Sequence, residues 1–432
     1  MPTDYRRVAD FIRRTVVGRP ADAVARLRPR HEPSPPRVPH AGGVTESAVD
    51  ARWQLPELPA SACEAVYDAR AREDAGHYEH NIEQFIGTVR IPVGLVGPMR
   101  VNGSFAHGDY YVPLATTEAA LVASYARGAR LLTEAGGCTA LVLNEGVSRA
   151  PGFAFDSIVE AALFVAWATA RLDEFRRAAA ETTRHGQLVD LEVTLEGNHV
   201  YLNFEFTTGD ASGQNMVTLA TDAICRDIEA HAPVKPRYYF LEANLSGDKK
   251  ATSRSFLGVR GRKVSAEVHL PADLLDKRLH TTATRLVDYW RMSALGGVMS
   301  GSLGVQGHYA NGLAALFIAC GQDAATVAEA AVGVTRFEPA EEGGLYAAVT
   351  LPNLIVGTVG GGTGLPTQRA CLEIMGLAGD GHARALAEVA AALALAGELS
   401  ITGALAAGHF AEAHRRLARG RRQAHVPGPP EA

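Results

Sequence analysis

The stretch from Phe153 to Asn244 constrains the fold more than any other part of the 432-residue chain. Apolar and polar residues alternate along Leu188–Leu195 and again along Val200–Phe206, and Glu196-Gly197-Asn198 lies between the two runs. Alternation with a period of two around a Gly-Asn turn predicts two antiparallel strands joined by a hairpin.

Helical patterns and short apolar runs flank this hairpin. We predict one helix over Asp156–Ala179, capped at its first or second residue, and another over Gln214–Ala230. Further strands are predicted at Gly152–Phe155 and Arg237–Leu241. The resulting order β-α-β-β-α-β is that of a split βαβ, or ferredoxin-like, unit.

The rest of the chain alternates glycine-rich turns with Ala/Leu-rich segments and predicts a larger helical body. We therefore expect an α+β fold in which residues 153–244 form a domain inserted between residues 44–152 and 245–408. Residues 1–43, rich in Arg and Pro, are predicted to be a flexible leader, and residues 409–432 a mobile tail.

Composition excludes several classes of protein. Hydrophobic residues make up 47% and charged residues 21%, which is typical of a globular chain. A formal charge of -5 argues against nucleic-acid binding. Five scattered cysteines match neither a disulfide framework nor a metal pattern. No secretory signal or membrane-spanning run is predicted; Val389–Gly397 is the best apolar run, and Glu398 ends it. We expect a cytoplasmic protein without a metal or a membrane partner.

Lysine is rare in this chain: five lysines stand among 42 basic residues, and Lys249 and Lys250 are neighbours. A Ser-Gly-Asp-Lys-Lys sequence is usually an exposed turn. The alternative is a functional pair, because a lysine ammonium is a compact and tunable donor suited to an oxyanion, whereas arginine does not titrate.

Two carboxylates have both a structural and a functional interpretation. Glu118, in Leu114–Glu118, fits the start of a helix capped by Thr117, or an acid at the mouth of a site. Asp323 fits a helix cap after Gly321-Gln322, or a carboxylate that tunes a neighbouring acid or lysine.

Two glycine-rich loops and one histidine complete the candidates. The segment 207–216 opens the second helix of the inserted unit and would suit an anion at a helix N-terminus, although it is not a Rossmann fingerprint. Gly357–Gly364 permits close backbone approach, to a ligand or to another helix. His414 is either an ordinary surface histidine or a proton donor on a closing segment.

Seven segments occur in a single order along the chain: Ile91–Pro98, Leu114–Glu118, Asp210–Met216, Asp248–Lys250, Gly321–Ala325, Gly357–Thr363 and the terminal histidine His414. Together they resemble the 3-hydroxy-3-methylglutaryl-coenzyme A (HMG-CoA) reductase family, in the soluble catalytic-domain form of its class I. This resemblance implies a large helical domain for substrate and coenzyme A, and an inserted ferredoxin-like domain for the nucleotide.

The resemblance also implies a reaction. HMG-CoA, a small-molecule thioester, would be reduced twice to mevalonate and free coenzyme A, which feeds isoprenoid biosynthesis. The implied cofactor is NADPH rather than NADH, and no metal is implied. The family works as a dimer or a dimer of dimers, with active sites shared between subunits.

The resemblance assigns roles residue by residue. Lys249 would stabilise the oxyanion, Glu118 would supply a proton, Asp323 would hold their charge state, and His414 would protonate the coenzyme A thiolate. The implied substrate-binding residues are Arg149, Ser246, Lys250, Asn311, Ser124 and Arg130. The implied cofactor-binding residues are Asp210, Gly213, Gln214, Asn215, Thr183, Arg184, Gly360 and Gly361.

Departures from the family pattern leave alternatives open. The loop between Ser246 and Asp248 is shorter than usual, and Ser212 and Gln214 replace the usual methionines. These departures prompt two other hypotheses: a reductase of a related acyl thioester, and a coenzyme A-binding pseudoenzyme. The presence of Glu118 and the other three catalytic residues argues against the second.

Overall fold

A computed structural model of the chain describes residues 5–17, 32–33, 36–40, 42–55 and 58–408. The chain divides into two units, Met1–Thr88 and Val89–Ala432. The predicted tail, residues 409–432, lies outside the described residues, and so does about half of the predicted leader.

The helices of the described part are α1 Tyr5–Ile12, α2 Glu46–Trp53, α3 Ala60–Val66, α4 Ala69–Glu73, α5 Leu121–Glu134, α6 Ile158–Thr169, α7 Leu172–Ala180, α8 Gln214–His231, α9 Arg254–Leu257, α10 Ala272–Leu279, α11 Ala283–Ser300, α12 Tyr309–Ala319, α13 Val327–Ala330, α14 Pro366–Ile374 and α15 Ala383–Ala406. A π-helical turn, Arg13–Val17, follows α1. Short 3₁₀ turns lie at Ala75–Tyr78, Ala324–Thr326, Glu341–Gly343 and Gly361–Gly364.

The strands are β1 Val93–Gly103, β2 His107–Ala115, β3 Cys138–Arg149, β4 Gly152–Ala154, β5 Gln187–Glu196, β6 His199–Thr207, β7 Tyr238–Phe240, β8 Gly261–Leu270, β9 Gly304–Val305, β10 Gly333–Pro339 and β11 Leu345–Leu354.

In the first unit, a small core forms around Val49, Tyr67 and Phe85. The buried Arg52 side chain donates hydrogen bonds to the backbone carbonyls of Pro39, His40, Gly43 and Phe85. This arginine therefore satisfies carbonyl groups that have no strand or helix partner.

The second unit contains two sheets that share β3. The larger sheet has the order β2-β1-β3-β8-β11-β10-β9, and the smaller has the order β7-β4-β6-β5 with all its pairs antiparallel. The first part of β3 pairs with β8, and its last residues, Val147–Arg149, pair with β6. Arg149, the last residue of β3, is thereby placed where the two sheets meet.

The prediction of a largely helical body is corrected by the larger sheet. Alternate residues of β8, from Val264 to Leu270, are buried, which is the period-two pattern of a strand with one face on a core. The structure is a mixed α/β protein, and the Ala/Leu-rich segments are helices packed on this sheet.

Between Gly152 and Phe240 the elements follow the predicted order, but the first predicted helix is two helices, α6 and α7. Ser157 caps α6 by accepting a hydrogen bond from the Glu160 N–H. The Thr169 hydroxyl donates to the Val165 carbonyl at the end of α6. Such a bond competes with the helical ladder, and the chain turns before α7 begins at Leu172.

One helix of the described residues, α15, is long and apolar enough to cross a membrane by length and composition. The apolar run predicted from the sequence, Val389–Gly397, covers only the middle of this helix and ends at Glu398. In the structure the helix continues through Glu398, and 89% of its most apolar 18-residue window is buried inside the protein. It packs against the larger sheet and α5.

Candidate functional site

Lys249 and Asp323 meet in an ion pair. Lys249 Nζ lies 2.7 Å from Asp323 Oδ2, and both side chains are about 40% exposed (43% and 37%). Lys249 has a positive φ of 55° in the loop before α9, a conformation that side-chain-bearing residues seldom adopt. Asp323 also caps the following 3₁₀ turn by accepting a hydrogen bond from the Ala325 N–H. Both interpretations of Asp323 therefore describe real contacts.

A buried network of charges lies beneath this pair. Arg260 donates from Nη1 to both oxygens of Glu329, each at 3.0 Å, and from Nη2 to Asp248 Oδ1 at 2.8 Å. Arg149 donates to Asp248 Oδ2 at 3.0 Å and to Glu242 Oε2 at 3.3 Å. Asp248 thus pairs with two arginines, and these ion pairs fix the loop that carries Lys249.

Asp248 and Glu329, the two carboxylates that accept hydrogen bonds from Arg260, have pKa values that are shifted in opposite directions. Burial alone would raise the pKa of Asp248, but the Arg260 and Arg149 guanidinium groups hold that pKa below its ordinary value. Glu329 is completely buried, and this burial raises its pKa to about 7, although Arg260 and the Lys249 N–H favour the ionised form.

The other residues near Lys249 that the resemblance assigns to substrate binding already have hydrogen-bond partners within the protein. Ser246 is buried, and its hydroxyl donates to Glu242 Oε2 at 2.9 Å. Lys250 is exposed, with Nζ donating to the Asp248 carbonyl. Arg149 is 7% exposed and already paired with carboxylates, so it would have to exchange a protein carboxylate for a substrate carboxylate to act as a clamp.

Glu118 and Asn311 lie together elsewhere in the same unit. Asn311 Nδ2 donates to Glu118 Oε2 at 2.9 Å. Both line a cleft of about 410 Å³ whose other walls include Ile91, Leu121 and Ile318. The predicted helix start at Glu118 is wrong, because α5 begins at Leu121, and Glu118 lies in the loop before it.

The α5 residues proposed for coenzyme A have different surroundings. The Ser124 hydroxyl forms a hydrogen bond with the Ser400 hydroxyl at 2.9 Å, which ties α5 to α15. The Arg130 side chain is 68% exposed, and its Nε lies 3.9 Å from Glu134 Oε1. Arg130 is thus available to a solvent-borne anion, whereas Ser124 is partly used by the fold.

The segment 207–216 opens α8 as predicted. Gly213 has a φ of 77° directly before Gln214, and a Cβ on this glycine would lie 2.2 Å from Thr208 Cγ2, so the turn requires glycine. No side chain caps the first N–H groups of α8, and Asn215 is exposed there. An uncapped helix N-terminus fits a phosphate group.

Asp210 has a structural partner that the sequence did not reveal. Its carboxylate accepts hydrogen bonds from the N–H groups of Gly381, at 2.8 Å, and Ala383, at 3.1 Å. Ala383 is the first residue of α15, so Asp210 satisfies N–H groups at the start of that helix.

The two glycine-rich loops lie against each other. The Thr358 N–H donates to the Asp210 carbonyl at 2.9 Å, and a Cβ on Gly357 would lie 2.6 Å from the Ser212 nitrogen. Gly360 and Gly361 both have positive φ in the outer part of the second loop and are exposed. Gln322, next to Asp323, bonds to both the N–H and the carbonyl of Gly357. The structure therefore connects the Lys249–Asp323 pair with both loops.

Thr183 and Arg184 lie in a turn close to the start of α8. The Thr183 hydroxyl accepts hydrogen bonds from the N–H groups of His185 and Gly186, and a Cβ on Gly186 would lie 2.5 Å from Met216 Cε. Arg184 is exposed beside this turn.

Several buried groups of the site were missed by sequence reasoning. Besides Arg260 and Glu329, these are His308 and Glu398, which support the helix that carries Asn311. Glu398 accepts hydrogen bonds from the Gly307 and His308 N–H groups and from the Thr335 hydroxyl. The available signal was a glutamate inside a long apolar run, since a buried charge without partners would be costly.

In the described residues, no hydrogen bond or ion pair joins Glu118 or Asn311 to Lys249 or Asp323. The predicted catalytic residues within the described part of the chain, with the predicted substrate-binding residues beside them, thus form two groups. They are here called the acid cleft (Glu118 and Asn311) and the lysine loop (Ser246–Lys250 with Asp323). His414 lies outside the described residues, and no group of three or more metal-ligating side chains occurs within them.

Comparison with known proteins decides the family. A family model described as hydroxymethylglutaryl-coenzyme A reductase matches residues 49–419. The chain belongs to this family. The 3-hydroxy-3-methylglutaryl-coenzyme A reductase of Pyrococcus abyssi is 43% identical over 360 residues, which cover 80% of this chain and 88% of that protein. The reductase of Methanothermobacter thermautotrophicus is 44% identical, over 79% and 85% of the two chains.

Solved structures agree on the fold. A class II HMG-CoA reductase of Streptococcus pneumoniae, bound to NADPH in open conformations, superposes with a TM-score of 0.62 over 77% of this chain and 89% of that chain. At a sequence identity of 22%, this likeness supports the fold alone. The HMG-CoA reductase family predicted from the motifs is confirmed, whereas the comparisons do not support the narrower likeness to class I.

Proposed function

We propose that this protein reduces HMG-CoA to mevalonate and free coenzyme A with two molecules of NADPH, as a step towards isoprenoids. The observation that carries the proposal is the Lys249–Asp323 ion pair, placed beside two glycine-rich loops and above a buried charge network. A compact ammonium held by a carboxylate at a cofactor loop is the arrangement that a hydride acceptor's oxyanion requires.

When bound, NADPH would supply the hydride for each reduction, first of the thioester carbonyl and then, from a second molecule, of the aldehyde. Lys249 stabilises the alkoxide that forms each time, and Asp323 keeps the lysine charged and oriented. When the first alkoxide collapses, the carbon–sulfur bond breaks, and His414 gives a proton to the coenzyme A thiolate. Glu118 gives a proton to the second alkoxide, which becomes the alcohol.

We assign the nucleotide to residues 153–244 as an inserted ferredoxin-like domain, supported by the antiparallel order β7-β4-β6-β5. The uncapped start of α8 at Gly213 suits the pyrophosphate. Arg184 and Thr183 lie near this helix start and suit the adenosine 2′-phosphate, which favours NADPH over NADH. Gly360 and Gly361 leave room for the nicotinamide end.

The acid cleft and the lysine loop must meet for the reaction, and we propose that they do so between subunits of a homodimer or a dimer of dimers. Exposed apolar side chains on one helix face of α11 support such self-association: Met292, Leu295, Val298 and Met299. Arg149 would then bind the substrate carboxylate with Ser246 and Lys250, while Ser124 and Arg130 would lie towards coenzyme A. Five free cysteines support a reducing, cytoplasmic location.

The test is an assay of the purified protein with NADPH and HMG-CoA, in which nicotinamide absorbance and free thiol are both followed. We expect about two NADPH oxidised for each thiol released. Turnover of another acyl thioester, but not of HMG-CoA, would replace the proposal by the related-reductase hypothesis that the short loop before Asp248 prompted. Coenzyme A binding without oxidation of NADPH would indicate a pseudoenzyme.

A further inference from the structure

One buried guanidinium contacts both the lysine loop and the first residue of the proposed cofactor helix. Arg260 is 4% exposed and lies just before β8. Its Nη2 donates to Asp248 Oδ1 at 2.8 Å and to Gln214 Oε1 at 3.0 Å. A single nitrogen therefore ties the residue before Lys249 to the residue that begins α8.

The other arm of Arg260 reaches the lysine loop by a second route. Nη1 donates to both oxygens of Glu329, and Glu329 Oε1 accepts a hydrogen bond from the Lys249 N–H at 3.1 Å. Lys249 has a positive φ, so its backbone needs such a partner to stay in this conformation. Arg260 and Glu329 together hold the Lys249 backbone on one side and Gln214 on the other.

The hydrogen bond between Arg260 and Gln214 depends on the amide oxygen of Gln214 and not on the volume of its side chain. Gln214 Nε2 is buried and has no hydrogen-bond partner among the described residues, whereas Oε1 accepts from Arg260 and so orients this side chain. A methionine would fill nearly the same volume but could not accept a strong hydrogen bond from a guanidinium. A glutamate would keep the acceptor.

We propose that Arg260 is a positioning residue that couples the cofactor helix to the catalytic lysine through Gln214. This coupling fixes the position of Lys249 relative to the nicotinamide. This inference rests on the proposed reductase function. The guanidinium is a rigid planar donor set, so loss of the Gln214 acceptor loosens Nη2, the same nitrogen that donates to Asp248.

The test compares Gln214→Met with Gln214→Glu and with Gln368→Met, a matched control on α14 whose amide oxygen accepts a hydrogen bond from the Thr367 hydroxyl and not from Arg260. We expect Gln214→Met to lower kcat about tenfold while the Kd for NADPH, measured by fluorescence, changes less than about threefold. Gln214→Glu should restore kcat to within about threefold of the parent, and Gln368→Met should match the parent.

A readout that needs no turnover keeps this test separate from the proposed function. Amide hydrogen exchange at Lys249 should be about tenfold faster in Gln214→Met and normal in Gln214→Glu. The coupling is refuted by parent-like exchange in Gln214→Met, or by equal defects in the two variants, which would make volume the deciding property. An inactive parent protein would overturn the reductase proposal, while the exchange result would still decide the role of Arg260.

Discussion

Lys249 and Glu118, the two central residues of the proposed chemistry, have opposite surroundings. The lysine loop rests on a network in which two arginines pair with three carboxylates: Arg149, Arg260, Glu242, Asp248 and Glu329. The acid cleft is open and largely apolar, and among the described residues Glu118 has a single side-chain partner, Asn311. Within the described part of the chain, the lysine side thus has many more polar contacts than the acid side.

This difference separates what each region contributes. A charge network buried in one chain contributes rigidity, and its members affect stability as well as activity. An exposed carboxylate in an open cleft has few contacts to lose, so under the proposed function its replacement should affect the reaction and leave stability unchanged. Four predictions test this comparison, from the largest expected effect to the smallest.

Replacement of the catalytic ammonium should have the largest effect. We expect Lys249→Arg to lower kcat about 10³-fold, because a planar guanidinium cannot place a compact charge at the oxyanion. Coenzyme A affinity, measured by calorimetry, should stay within about twofold. Lys277→Arg, on the exposed end of α10, is the control and should match the parent. Undiminished turnover in Lys249→Arg would remove Lys249 from the mechanism.

Removal of a buried carboxylate should affect stability strongly, unlike removal of the exposed one. We expect Glu329→Ala to lower the free energy of unfolding by about 3–5 kcal/mol, because Arg260 loses two hydrogen bonds and stays buried. Glu118→Ala should change it by less than about 0.5 kcal/mol. Urea denaturation measures both. Similar losses in the two variants would show that the regions do not differ in the way described.

Sequence reasoning predicted the local elements of the small sheet well, because each depends on a short pattern. The hairpin of β5 and β6 follows from alternation around Gly197, and α8 from its glycine turn at Gly213. The larger sheet contains two local hairpins, β1–β2 and β10–β11, but its central strands pair residues far apart in sequence, such as Thr139 with Glu267. No local pattern encodes the pairing of those central strands.

The candidate site shows the same difference between residues that a local motif identifies and residues that only the packing of distant segments brings together. Lys249 and Asp323 were singled out by motifs, and the structure brings them together across more than 70 residues of chain. Arg260 and Glu329 lie in no recognised motif, and their burial depends on the packing of distant segments. Asp210 was assigned to the cofactor, although its carboxylate also holds the start of α15, a partner 171 residues away.

His308 provides a test in the acid cleft region that depends on pH. Burial lowers the pKa of His308 to about 4, and the groups that face it are the Gly397 carbonyl, the Tyr125 ring and, more distantly, Glu118. A lowered pKa means that the unfolded chain binds the proton first, so stability is complete above pH 6.5 and is lost as the pH falls towards 4.

We therefore expect the free energy of unfolding to drop by about 2 kcal/mol between pH 6.5 and pH 4 because of this residue. His308→Gln should lose that part of the pH dependence. Denaturation at several pH values measures it for both proteins. An equally steep decline in His308→Gln would assign the acid sensitivity to other groups.

The smallest expected effect concerns the only side-chain hydrogen bond that Glu118 makes among the described residues. Asn311→Ala removes the Nδ2 donor that lies 2.9 Å from Glu118 Oε2, and we expect kcat/KM to fall about tenfold with stability unchanged. Asn311→Asp should also change the pH dependence, because a second carboxylate favours protonated Glu118 and moves the alkaline limb of the pH–rate profile, where the acid loses its proton, to higher pH. Asn102→Ala, which removes an exposed amide bonded to the Gly136 carbonyl, is the control. A pH–rate profile that is identical in the parent and in Asn311→Asp would mean that Glu118 is not the acid, and the acid cleft would then have no assigned part in the reaction.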